Sequence, residues 1–493
     1  MAIDQQQITL KVFVNKTKNC VAFVESDADF VDVLLSFLTL PVGTVVRLLN
    51  KQSSLGCFDK LYQGVEQLDE KCLATEACRS MLTKPVNSSG IKCQKLKINI
   101  DEMGELYICL SYCCFNRSLS YYSGLECQCG YDVKKAITYD LKRDDDNYEN
   151  FQRVFVKGDK FVVTEALCIA SVEELILNLN EGGNGDCNHL EERSVKIERE
   201  QVLLILKRSL ISDTPLTDVL LHNGGNMTTP KVSVPSIEKT VEKKAFDEEK
   251  KIYKLNMALT SNKVLYAEAS QDFVDLIFSF LTFPLGSLKK HLGSRFRIGS
   301  LNNLYGSAER LRSSGCMVEG CEERLLNPKL APYFNCKNQA IGVEEEKAVI
   351  YYTCYYCCKL SHTSFICKSH GYDAMHAHQA TLIDPKSQPR GTISSHGSYC
   401  QELRYMVTDE LVVTPLSLTE VISIRKDIFD PIKMAELSLA EEEVLDFLAV
   451  ALTSNTALTD AFLARTSVGV FASEFGGRTR MVNVASEGEE GWK

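Results

Sequence analysis

The stretch Glu25-Ser-Asp-Ala-Asp-Phe-Val-Asp-Val-Leu-Leu-Ser-Phe-Leu-Thr-Leu-Pro-Val-Gly43 returns 243 residues later as Glu268-Ala-Ser-Gln-Asp-Phe-Val-Asp-Leu-Ile-Phe-Ser-Phe-Leu-Thr-Phe-Pro-Leu-Gly286. Eleven of the nineteen positions are identical, including Asp-Phe-Val-Asp and Ser-Phe-Leu-Thr. Acidic residues open the stretch, and Phe30, Val33, Leu34 and Phe37 follow at helical spacing. It therefore reads as a helix that begins near Asp27 and stops before Pro41. A second helix is expected over residues 43–49, and a third over 58–68 with Phe58, Leu61, Tyr62, Val65 and Leu68 on one stripe.

Upstream, Leu10, Val12 and Val14 alternate with polar residues, a polar turn follows at Asn15-Lys-Thr-Lys-Asn19, and residues 21–24 resume the alternation. That is a β-hairpin with one buried face. At the same shift of 243, Tyr253, Leu255 and Met257 fall on Leu10, Val12 and Val14, and Leu304-Tyr305 on Leu61-Tyr62. Cys321 and Cys336 fall on Cys78 and Cys93. Each copy closes alike, Glu200-Gln-Val-Leu-Leu and Leu216-Thr-Asp-Val-Leu-Leu221 matching Glu442-Glu-Val-Leu and Leu458-Thr-Asp-Ala-Phe-Leu463. The chain reads as a tandem duplication of class α+β, each copy a β-hairpin with helix pairs around a Cys-rich, zinc-knuckle-like insert. The copies span residues 8–221 and 251–464, with a Gly-, Asn-, Thr- and Pro-rich linker at 222–250 and an irregular tail at 465–493.

The inserts carry the chemistry. The first reads Cys109-Leu-Ser-Tyr-Cys113-Cys114, then twelve residues, then Cys127-Gln-Cys129-Gly-Tyr-Asp132. The second reads Cys354-Tyr-Tyr-Cys357-Cys358, then eight residues, then Cys367-Lys-Ser-His370-Gly-Tyr-Asp373. Aligned on Gly-Tyr-Asp, Cys129 stands opposite His370. Cysteine and histidine differ as packing residues but share the capacity to bind zinc. Cys354, Cys357, Cys367 and His370 form two pairs with the spacing of a structural zinc site, Cys358 being an alternative to Cys357. In the first copy Cys109, Cys114, Cys127 and Cys129 form a less regular set. The bland reading is buried thiols, cysteine being among the most buried residue types. Cys20, Cys57, Cys72, Cys168, Cys187 and Cys400 show no pairing and read as core or surface thiols. His376 and His378 read as an exposed pair.

Composition narrows the classes. At 493 residues, 45% hydrophobic and 24% charged, the chain is long enough for sizeable cores. Its net charge of -10 argues against general nucleic-acid binding, which needs surplus Lys and Arg. No secretory pattern or membrane-length apolar run is visible, so an intracellular protein, cytoplasmic or nuclear, is expected. Twenty cysteines there should be thiols or metal ligands rather than disulfides. No phosphate-binding loop, dinucleotide fingerprint, nucleophile elbow or His-Glu-x-x-His helix occurs.

The strings Leu10-Lys-Val-Phe-Val14, Phe23-Val-Glu-Ser26, Ser36-Phe-Leu-Thr-Leu-Pro-Val-Gly-Thr-Val-Val-Arg-Leu-Leu49, Gly56-Cys-Phe-Asp-Lys-Leu-Tyr62, Cys93-Gln-Lys-Leu-Lys-Ile-Asn-Ile100 and Thr214-Pro-Leu-Thr-Asp218 resemble the plant-specific domain of unknown function family 674. The resemblance runs over residues 8–463 and implies a plant protein with two tandem copies and cysteine pairs at the positions above; it supplies no activity. The expected function is a non-enzymatic scaffold for protein partners, its knuckles held by structural Zn2+. The alternatives are a zinc-dependent hydrolase with an open site at Cys354, Cys367 and His370 and Asp373 as base, and nucleic-acid binding through the knuckles.

Overall fold

The computed structural model describes residues 6–102, 104–111, 117–127, 129–137, 153–173, 189–222, 251–336, 339–354, 360–361, 378–387, 397–426 and 428–463. The linker beyond His222 and the tail lie outside these residues.

The expected hairpin forms as Ile8–Asn15 and Cys20–Ser26, with Val12 opposite Val24. Ile8, Leu10, Val12 and Val14 are buried on one face while Thr9 and Lys11 point to solvent, as strict alternation requires. Leu190–Ile197 pairs on the other side of the first strand, and Phe161–Thr164 and Ile169–Ser171 extend beyond the second. The result is a five-stranded antiparallel sheet. A second one has the order Lys433–Leu439, Tyr253–Leu259, Val264–Ser270, Arg404–Thr408, Val413–Pro415. Strand for strand, the two sheets share one order.

Each hairpin leads into a helix. Ala28–Ser36 continues as a 3-10 turn over Phe37–Thr39, and Gln271–Ser279 continues likewise over Phe280–Thr282. The amphipathic stripe expected for the first helix is only part of its contact, since Val31, Asp32 and Leu35 are buried as well. A helix enclosed on all sides has a second neighbour, and here the other half of the chain supplies it. The Val42 amide donates to the Phe283 carbonyl at 3.0 Å, and the Leu285 amide donates to the Leu40 carbonyl at 3.0 Å. These reciprocal bonds meet where Pro41 bridges Pro284. One hydrophobic cluster accordingly runs from Ile8 to Phe462 and draws on both halves.

Close approach of backbones explains the paired glycines. A Cβ on Gly286 would sit 2.4 Å from the Leu325 carbonyl oxygen and 3.0 Å from that of Leu38. On Gly43 it would sit 2.7 Å from the Leu82 oxygen and 3.0 Å from that of Leu281. Backbone carbonyls cannot rotate away as side chains do. Gly286→Ala is expected to destabilise the protein by about 1–3 kcal/mol, the range for overpacking a filled core, read from the midpoint of urea unfolding.

Two further links cross between the halves. The Lys157 amide donates to the Cys316 carbonyl at 2.7 Å and the Val318 amide to the Phe155 carbonyl at 2.8 Å. Their counterparts run the other way, Ala74 to the Tyr399 carbonyl at 2.9 Å and Gln401 to the Cys72 carbonyl at 2.8 Å. The crossing segments are anchored by buried carboxylates. Asp32 accepts from the amides of Val154, Phe155 and Val156 at 2.8–3.0 Å. Asp275 accepts from the amides of Tyr399 and Cys400 at 2.8 and 3.1 Å, and from the Cys400 thiol at 3.2 Å. Both aspartates belong to the repeated Asp-Phe-Val-Asp string.

No helix among the described residues is long and apolar enough to cross a membrane.

Candidate metal centre

A third sheet is built from the two inserts together. Its order is Leu360–Ser361, Ile350–Thr353, His378–Leu382, Arg117–Ser120, Leu106–Ile108, Lys135–Ile137. Three strands come from each half. They meet at a parallel pairing, with Ala380 beside Arg117, Thr381 beside Ser118 and Leu382 beside Leu119. Leu106, Ile108, Leu119, Tyr351, Leu360, Ala380 and Leu382 pack beneath it as a separate small core.

Cys109 stands just past the strand Leu106–Ile108, and its amide donates to the Ser118 carbonyl at 3.0 Å. The antiparallel ladder thus extends to the cysteine and holds its backbone. Cys127 and Cys129 come from the tip of a short hairpin, Leu125–Glu126 paired with Asp132–Val133. The Cys127 amide donates to the Tyr131 carbonyl at 2.8 Å, and the Gly130 amide donates to the Cys127 carbonyl at 2.8 Å. Gly130 adopts φ +84°, which only glycine takes without strain, and this closes the tip tightly. The tip brings the Cys127 and Cys129 sulfurs to Cys109, all three within 4.8 Å of one another.

The Cys109 and Cys129 sulfurs are 3.6 Å apart. A tetrahedral zinc with Zn–S bonds of about 2.3 Å sets its sulfurs about 3.8 Å apart, so this edge suits the ion. Cys109 and Cys127 are buried and Cys129 is half-buried. Val133 and Ile383 pack around them, and the Ser118 hydroxyl lies 3.1 Å from the Cys127 sulfur. Burial, with the neighbouring Cys129 and Cys127 sulfurs adding to it, pushes the Cys109 thiol up to about 11. Without a metal the group is a neutral thiol at neutral pH; zinc must displace its proton.

Of the eight ligands expected from the sequence, Cys109, Cys127 and Cys129 converge. Cys354 is buried directly after the strand Ile350–Thr353, the place Cys109 holds after its own strand. Cys114, Cys357, Cys367 and His370 lie outside the described residues, as do Cys113, Cys358 and His376. Cys57, Cys72 and Cys400 are buried thiols and Cys20 and Cys168 half-buried ones, in line with their lack of pairing, while Cys187 is outside the described residues. Two neighbours escaped sequence reasoning. Ser118 and Ile383 reach the cluster through strand pairing, the Ile383 amide donating to the Leu119 carbonyl at 2.9 Å. Ile383 belongs to the other half of the chain, and no local spacing signals its approach.

The family model described as "Protein of unknown function (DUF674)" matches residues 4–437. No curated protein matches the chain, and no solved structure does.

Proposed function

Since the chain belongs to the DUF674 family, whose description carries no activity, we propose from its own residues that it is a non-enzymatic scaffold with a structural zinc at Cys109, Cys127 and Cys129. The observation that carries this reading is the convergence of three sulfurs within 4.8 Å. Three thiolates are a soft set suited to zinc, and a structural site adds a fourth protein ligand, the place the sequence offers to Cys114. Zinc there locks the hairpin tip onto the strand Leu106–Ile108, and so stiffens the sheet that joins the halves. The second cluster, Cys354, Cys357, Cys367 and His370, takes the same role in the second copy under this reading.

We read the two halves as copies of one ancestral unit. The shared order of the five-stranded sheets and the reciprocal bonds about Pro41 and Pro284 support a tandem duplication. The scaffold reading draws support from exposed apolar residues on the second copy. Leu418 and Ile422 lie one turn apart on the helix Leu418–Arg425, at 75% and 47% exposure, and Phe429 beyond it is 97% exposed. Clustered apolar surface of this kind is what partner proteins cover.

Elemental analysis of protein purified without added zinc tests the proposal. The expected result is bound zinc, one equivalent of which disappears in Cys109→Ser and in Cys127→Ser. Loss of a further equivalent in Cys354→Ser extends the reading to the second cluster. Metal-free protein, or zinc retained in full by both first-copy variants, overturns it.

A further inference from the structure

Helix Gly90–Cys93, in the first half, directs the Lys92 side chain at Cys321, which caps helix Glu322–Leu326 in the second. Lys92 Nζ and Cys321 Sγ are 2.6 Å apart. Ordinary N–H···O bonds span about 2.7–3.2 Å, and sulfur is the larger acceptor, so this contact is tighter than a hydrogen bond accounts for. It places the amine nitrogen and the sulfur close enough for one oxygen atom to join them. No carboxylate pairs with Lys92 among the described residues. The sulfur is buried and touches the Val154 carbonyl oxygen at 3.4 Å, while Lys92 is half-exposed. The first half lacks the pairing. Cys78, which corresponds to Cys321, has the Thr75 hydroxyl at 3.2 Å, and Asn335 stands where Lys92 has its counterpart.

We propose that Lys92 and Cys321 form an oxidation-dependent N–O–S cross-link that staples the two halves of the chain. Hydrogen peroxide is the oxidant. One equivalent converts the Cys321 thiol to a sulfenic acid and releases water, the first step of cysteine oxidation. A second oxidises the sulfenic acid together with the Lys92 ammonium, joining the sulfenic oxygen to Nζ and releasing two waters and one proton. Sulfur and nitrogen each give up two electrons, each peroxide accepts two, and the ammonium proton passes to solvent. Thiol reductants reverse the link. The joined residues lie 229 positions apart, so the link closes a long loop and restricts separation of the halves.

The test is peroxide treatment of the full-length folded protein, tryptic digestion without reductant, and mass spectrometry. The expected product is the Lys92 peptide joined to the Cys321 peptide, with one oxygen gained and two hydrogens lost, released by dithiothreitol. Lys92→Arg, which keeps the charge, and Cys321→Ser should both abolish it. Oxidation should raise the thermal midpoint of the wild type and leave that of Lys92→Arg unmoved. Peroxide that takes Cys321 to sulfinic acid while trypsin still cleaves after Lys92 overturns the proposal. So does a cross-link that lacks the added oxygen, or one that persists in Lys92→Arg.

Discussion

Replacing Asp32 with alanine is expected to destabilise the protein by at least about 3 kcal/mol, and replacing Asp275 to do so in the same direction. Asp32 is buried and holds three consecutive backbone amides, those of Val154, Phe155 and Val156. Alanine would leave all three donors buried without a partner, at about 1–3 kcal/mol for each lost acceptor. The damage would spread, because the anchored segment also exchanges bonds with Cys316 and Val318 of the other half. Asparagine should be milder: its carbonyl still accepts, but its amide group faces a donor. The check is the shift in urea midpoint at constant m-value. A change within about 0.5 kcal/mol, typical of an uninvolved surface site, would sink this account.

The same aspartates predict a pH dependence. Burial raises both carboxyls from 3.8 to about 6, against the opposing pull of their hydrogen-bond donors. A folded-state value above the unfolded one means that the native state binds the extra proton. Their contribution is therefore fully present below about pH 4 and is lost as pH rises through about 6. Subtracting the Asp32→Asn stability curve from that of the wild type should isolate this slope. A flat difference curve, or one of opposite sign, would show that the carboxylates are not held as described.

If the proposed zinc is bound, chelating it is expected to release the Cys127–Cys129 hairpin tip from Cys109 and leave the five-stranded sheets folded. Structural zinc contributes on the order of 10–16 kcal/mol of apparent binding free energy in small zinc peptides. Here the effect should be local. The thiols and Val133 form their own apolar cluster, separate from the core that joins the two five-stranded sheets. Limited proteolysis should therefore cut near residues 125–133 after chelation, with far-ultraviolet circular dichroism almost unchanged. Acid should act in the same direction. With the Cys109 thiol at about 11, zinc competes with protons, and its affinity should fall by up to about tenfold per pH unit for each thiol it must deprotonate. Equal proteolysis with and without chelator would count against a metal that shapes this loop.

Much of the fold is legible because its signals are local. The period-2 burial of Leu10, Val12 and Val14 made a strand, and acidic residues before Phe30, Val33 and Leu34 made a helix. The candidate site was partly legible for the same reason. Cys127 and Cys129 share one tight turn closed by Gly130, and their nearness in sequence marks them as candidates even though the set is irregular. The more regular cluster is represented by Cys354 alone among the described residues, so the convergence observed belongs to the irregular one.

The sequence by itself determined the first hairpin, the helices that follow it, the repeated string and the candidate cysteines, because each depends on neighbours within a few positions. Only the tertiary structure decided how the halves meet. The burial of Asp32 beneath residues 154–156, the parallel pairing of Ala380–Leu382 with Arg117–Leu119, and the approach of Lys92 to Cys321 join residues more than a hundred positions apart. Such contacts follow from where whole sheets and helices can bury their faces together, a condition that no short window of sequence expresses.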